Sequence, residues 1–279
     1  MISKKQLFNF LLLLIVISDY SYAQVTMFSA NPLKKGQFVF FNQTQYFEKN
    51  SKYNWNTKEF TDLADTLKTD SYSLLPMVGY GLNERLSFFV QYPLYFDNQN
   101  DVTKFYQGDV MLMSRYAIFP ATAKKTGMLL IGGLRLPTAD YHNNPYADGS
   151  VDVFLGEIFS TKWYGDFKTH LKSEYYINTK NKLNENPGDE FRFFFKQDYR
   201  FTKNLKIYMN NIYTYQGKKR NSLNELVDNT QQHRILHIIG CEYIFNDAFV
   251  VKPKVQVPSY GVGGSLFNTK FILDFVYYL

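Results

Sequence analysis

The sequence predicts an all-β fold: an antiparallel transmembrane β-barrel of about twelve strands behind a cleaved signal peptide. Three observations predict it. The last fifteen residues alternate, with Leu266, Asn268, Lys270, Ile272, Asp274, Val276 and Tyr278 on one side and Phe267, Thr269, Phe271, Leu273, Phe275, Tyr277 and Leu279 on the other. Successive side chains of a strand point to opposite faces, so one face is apolar and aromatic and the other carries the polar groups. The pattern recurs along the chain. Second, aromatic residues make up 18% of the sequence, with 26 Phe and 23 Tyr but 2 Trp, a composition that suits strands and membrane interfaces. Third, no stretch approaches the ~18 consecutive apolar residues of a membrane helix. Any crossing must use strands, and strands in lipid must close into a barrel to leave no unpaired edge.

The first 23 residues form the expected leader. Lys4 and Lys5 give a positive start, Leu7 to Ile17 is apolar except for Asn9, and Ser21-Tyr22-Ala23 fits a cleavage site. That apolar core is too short to span a bilayer. Cleavage near Ala23 leaves one domain, residues 24–279, in an exported compartment. The leader carries Lys4, Lys5 and Asp19, so its loss lowers the formal net charge from +6 to +5. This mild excess argues against a nucleic-acid partner. The single cysteine, Cys241, excludes an intramolecular disulfide framework.

Residues 36–47 begin the barrel, and a polar stretch, 48–69, follows. Residues 70–80 align Tyr72, Leu74, Pro76, Val78 and Tyr80, although Pro76 cannot donate to a ladder. Residues 85–96, 105–118 and 126–136 come next; the last of these sets Arg135 opposite Leu134 and Leu136. Residues 150–162 place Asp152 opposite Val151 and Val153, while Glu157 falls on the apolar face. Residues 167–179 put Lys168, His170, Lys172 and Glu174 on one side. In 190–201, Glu190, Arg192, Lys196, Asp198 and Arg200 alternate with Phe191, Phe193, Phe195, Tyr199 and Phe201. Residues 205–215, 232–245, 248–257 and 265–279 complete twelve strands.

The connections alternate between short (81–84, 119–125, 163–166, 202–204, 246–247) and long (48–69, 97–104, 137–149, 178–189, 217–231, 258–264). Outer-membrane barrels have short periplasmic turns, longer outer loops and an even strand number. The expected location is therefore the outer membrane of a Gram-negative bacterium. With the apolar face in lipid, the other face lines a lumen, and the candidate lining residues are Arg115, Arg135, Asp152, Lys172, Glu174, Arg192, Lys196, Asp198, Arg200, Arg234 and Glu242. Such charges must pair or stay wet. Two functions are compatible with them. One is a channel or transporter for passive uptake of small molecules, tuned by Arg115, Arg135, Arg192, Lys196 and Lys172. The other is a non-conducting structural or adhesive surface protein with a filled interior.

Enzymatic signals are poor, and no catalytic residue is assigned. His233 and His237 share a strand face but lie ~13 Å apart, too far for one metal ion. Neither His142 nor His170 has a serine at the offset that would place both on one face. No zinc, phosphate-loop or dinucleotide motif is present, so no metal and no cofactor is expected.

Gly133-Leu134-Arg135-Leu136-Pro137-Thr138-Ala139-Asp140, followed after a loop by Gly149-Ser150-Val151-Asp152-Val153-Phe154-Leu155-Gly156, resembles a signature of the MetA-pathway of phenol degradation family of outer-membrane barrels. There a strand ends in a Pro-Thr-Gly-like corner, with Ala139 here in place of the Gly, and the next strand begins with Gly-Ser and an inward Asp. The resemblance implies a barrel that takes up hydrophobic or aromatic compounds. The expected partners are outer-membrane lipid, a small-molecule substrate of unknown identity, and the assembly machinery, which would read the aromatic alternation of the C-terminal strand.

Overall fold

The computed structural model describes residues 30–121, 126–140, 144–147, 149–163, 165–246 and 248–279. The leader and its cleavage site lie outside the described residues, as does His142. The strands are β1 (Phe38–Asn54), β2 (Glu59–Asp62), β3 (Thr69–Gly81), β4 (Leu86–Gln91), β5 (Leu94–Gln99), β6 (Val102–Gln107), β7 (Val110–Phe119), β8 (Gly127–Leu136), β9 (Asp152–Lys162), β10 (Phe167–Asn178), β11 (Glu190–Arg200), β12 (Leu205–Gln216), β13 (Gln232–Ile244), β14 (Phe249–Val262) and β15 (Ser265–Tyr278). Among the described residues, neighbouring strands pair antiparallel around a closed ring of twelve staves. The ring shuts where β1 pairs with both β3 and β15. No described helix is long and apolar enough to cross a membrane.

Two staves are interrupted, and the sequence shows why. β4 stops before Tyr92-Pro93 and β5 resumes beyond them, both on β3. Pro76 of β3 faces this break, and its carbonyl accepts from the Tyr92 N–H at 3.0 Å. Two prolines that cannot donate thus meet where the ladder is broken, so neither costs a backbone bond. The break continues one strand on: Gly108 and Asp109 separate β6 from β7, and the Gly108 N–H donates to the Pro93 carbonyl at 2.8 Å.

Three stretches read as loops prove partly to be strand. β1 runs on to Asn54 and folds back as β2. β5 and β6 turn tightly at Asn100-Asp101, both at positive φ. β14 reaches Val262 before the Gly263-Gly264 turn, again at positive φ. All three overhangs rise from the long-loop end. They are polar rather than apolar because they stand above the lipid, which is why the hydrophobic pattern did not show them.

The outward face is apolar and exposed, as at Phe88, Leu155, Ile239 and Phe271. Glu157 does sit on it, where its carboxylate accepts from Ser173 Oγ at 3.3 Å. The inward face packs aromatic rings directly onto glycines of the neighbouring strand. Phe89 pairs with Gly79, Phe154 with Gly133 and Tyr208 with Gly240. A Cβ on any of these glycines would stand under 3 Å from its ring.

Candidate functional site: the barrel lumen

The lumen is closed toward its short-turn end by residues 30–37. Ala30 and Leu33 are fully buried there. The Ala30 N–H donates to Ser160 Oγ at 3.0 Å and the Leu33 N–H to Ser87 Oγ at 2.9 Å. The segment packs in an apolar layer with Val39, Met77, Phe89, Leu129, Ile158, Val250 and Val276. This layer is a plug of core-like composition inside the barrel. Replacing Leu33 with Lys should raise single-channel conductance, because a second cation cannot stay in a layer that already buries Arg115. Planar-bilayer recording checks it.

Ser160 is held in turn. Its Oγ lies 2.7 Å from His170 Nδ1, and His170 Nε2 lies 2.8 Å from Asp198 Oδ2. Asp198 also lies 3.9 Å from Lys196 Nζ.

Above the plug, β10, β11 and β12 carry a staircase of cations over aromatic rings. Lys172 Nζ lies 4.8 Å from the Phe194 ring centroid, Arg192 Cζ 4.5 Å from that of Tyr176, and Lys196 Nζ 4.4 Å from that of Tyr208. Such placements are favourable because the ring face is electron-rich. The same cations meet carboxylates. Lys172 pairs with Glu174 at 2.7 Å and Arg192 with Glu190 at 2.5 Å. On the strands that follow, Glu242 accepts from Lys206 at 2.5 Å and Lys252 at 3.0 Å, while Asp274 accepts from Lys254 at 2.7 Å and from Gln43 at 2.9 Å. These walls enclose a cavity of about 270 Å³. Phe41, Met77, Met111, Met113, Phe154 and Tyr176 give it an apolar side; Lys172, Glu174, Arg192, Lys196, Lys254 and Asp274 give it a charged one.

The other candidate residues fall at three further levels. Arg115 is fully buried at the plug, its guanidinium 5.5 Å from the Phe89 ring centroid. Arg135 and Asp152, directly opposite each other on β8 and β9, form an ion pair with Asn178 beside it. Arg234 donates to Gln232 at 2.6 Å near the long-loop end. Arg200 closes β11 and is exposed at the short-turn rim.

The corner after β8 folds inward over the long-loop end. Thr138 Oγ1 accepts from the Val110 N–H at 3.0 Å, and Asp109 accepts from the Ala139 N–H at 3.1 Å. Beyond it Tyr146 enters the lumen and stacks on Tyr95 with ring centroids 3.8 Å apart. Its hydroxyl donates to Asp97 at 2.5 Å and accepts from Lys49 at 2.6 Å. Burial, and then the Asp97 carboxylate, push the phenol pKa up, so Tyr146 stays a donor. Sequence reading missed this residue, because loop composition carries no sign that a loop turns inward.

Comparisons with known proteins agree with this architecture. A search of curated proteins finds no match. The solved COG4313 outer membrane channel from Pseudomonas putida F1 superposes with a TM-score of 0.77 at 13% identity, over 92% of this chain and 100% of that one. The NanC porin gives 0.51 at 8% identity, over 85% and 98%. These likenesses show a shared barrel fold. Residues 33–264 match the family described as Putative MetA-pathway of phenol degradation, and the chain belongs to that family of outer-membrane barrels.

Proposed function

We propose that the protein is a channel for passive uptake of small molecules, and that its cargo is a small aromatic with a polar or anionic group. The observation that carries this is the two-sided cavity. Its 270 Å³ exceeds the ~150 Å³ in which an apolar engineered cavity holds benzene. Its apolar side would take a ring. Its cations, already seated over aromatic faces, would take a hydroxyl or carboxylate. The relative's description as a channel and the family's link to phenol degradation fit the same cargo.

The test is planar-bilayer conductance of the refolded chain Gln24–Leu279 in simple salt. Discrete steps with anion preference are expected, and Arg192→Glu should move the reversal potential toward cations. Silence from a folded, heat-modifiable barrel would sink the open-channel reading. One observation favours the alternative of a non-conducting surface scaffold: the plug at 30–37 and Tyr146 cover the lumen from both sides. In that case the long loops would carry the function.

A further inference from the structure

Three polar side chains meet on the outside of the barrel, on a face rich in exposed apolar and aromatic residues. His237 of β13 lies on the same face as Ile239, which is strongly exposed. Its Nδ1 is 2.6 Å from Asn211 Oδ1 on β12, and its Nε2 is 2.7 Å from Ser259 Oγ on β14. Asn211 shares its face with the exposed Met209 and Tyr213, and Ser259 shares its face with the exposed Val257. Two of the three residues pair across the ladder, Asn211 with His237. Ser259 is the extra residue of a bulge: Pro258 pairs with Leu236 and Tyr260 with Ile235, so Ser259 has no residue opposite. Bulges re-aim side chains, and this one brings Oγ onto the imidazole.

We propose that Ser259, His237 and Asn211 form a hydrolytic site on the lipid-facing wall, acting on carboxylic esters carried in the outer leaflet. The polarity of the hydrogen bonds is right for it. An amide oxygen only accepts, so His237 holds its proton on Nδ1 toward Asn211. That leaves the Nε2 lone pair to accept from the Ser259 hydroxyl, the relation of base to nucleophile. Asn211 is the positioning residue. In the first step Ser259 Oγ gives its proton to His237 Nε2 and bonds to the ester carbonyl carbon. The carbon–alkoxide bond then breaks, and the alcohol leaves with the proton from His237. Water reverses the sequence: His237 takes its proton, hydroxide attacks the acyl carbon, and Ser259 leaves protonated. The balance is ester plus water to carboxylic acid plus alcohol, with no further reactant.

The depth on the wall fits such a substrate. The aromatics nearer the long-loop end are Tyr213, Tyr215 and Tyr260, with the His233 ring centroid 4.8 Å from that of Tyr215. Aromatic girdles mark the membrane interface, so Ser259 sits beside the level at which lipid ester carbonyls lie. Accessibility separates this trio from the inner Ser160–His170–Asp198 set. Ser160 is buried and accepts the Ala30 N–H, so it is committed to the plug. Ser259 is exposed, and among the described residues its competing contact is a 3.5 Å approach to the Ile235 carbonyl.

The test uses the mature chain in detergent micelles, with p-nitrophenyl decanoate as substrate and a fluorophosphonate as serine-directed label. Ester turnover is expected, with the phosphonate adduct mapped to the peptide holding Ser259. Ser259→Ala should abolish both. His237→Ala should slow labelling by ~100-fold or more, the usual range for loss of a general base. Asn211→Ala should slow it less, and Asn211→Asp should restore it, a rescue that a purely structural contact would not give. All these side chains face lipid, so heat-modifiability and bilayer conductance should be unchanged, which keeps the outcome separate from that of the channel. A folded wild type with neither turnover nor adduct would overturn the proposal, as would a Ser259→Ala variant that turns over like the wild type. The residues would then merely satisfy one another in the lipid.

Discussion

Glu242→Gln is expected to cost the barrel about 3–5 kcal/mol, the usual penalty for removing one partner of a buried ion pair. Glu242 is 2% exposed and lies between Lys206 and Lys252, both largely buried. Gln keeps the shape and one acceptor but removes the charge that makes two inward ammonium groups tolerable. Replacing all three by apolar residues of similar volume should recover most of the loss, because the penalty comes from the orphaned cations rather than from the missing bond. Urea denaturation followed by the heat-modifiable gel shift measures both. A Glu242→Gln midpoint equal to that of the wild type would mean that water reaches these lysines and that the lumen there is wet.

The second large effect is expected at Gly133. A Cβ there would stand 2.2 Å from the Leu112 carbonyl oxygen and 2.5 Å from the Phe154 ring. The ring could move, but the carbonyl belongs to the β7–β8 ladder and cannot. Gly133→Ala should therefore exceed the ~1–3 kcal/mol of ordinary overpacking and prevent assembly of a folded barrel. Gly217→Ala is the control, since its nearest neighbour would be 3.6 Å away. The fraction of protein that migrates as the compact form in unboiled gels reads the difference. Wild-type assembly of Gly133→Ala would mean that the β7–β8 contact is looser than the register implies.

Much of this architecture was legible from alternation alone. Twelve staves, their order and the short-long rhythm of the connections all follow from a period of two, because lipid on one side and a charged lumen on the other impose it on every strand. Alternation sets Arg135 and Asp152 both toward the lumen, but that they pair follows only from the register of β8 on β9. Glu157 looked like an error of register and is instead a carboxylate on the outer wall, satisfied by Ser173. Alternation could not show what enters the lumen. Leu33 and Tyr146 come from segments outside the strands, and their inward position is a tertiary fact. Nor could it show Asn211, His237 and Ser259 together. The separations are 26 and 22 residues, and the bulge at Ser259 shifts the parity on which face assignment depends.

The seam between the first and last strands has a kinetic consequence. β1 meets β15 across more than 200 residues of chain, with Phe38 and Leu279 exchanging backbone bonds of 3.1 and 2.9 Å at its foot. Each neighbouring hairpin closes only a short loop, but this ladder cannot form until the entire chain has been brought round. Loop-closure entropy and high contact order make it the slow step. Assembly should therefore show fast hairpin growth followed by one late, rate-limiting zipper, and changes confined to that seam should delay closure while leaving the earlier phases untouched.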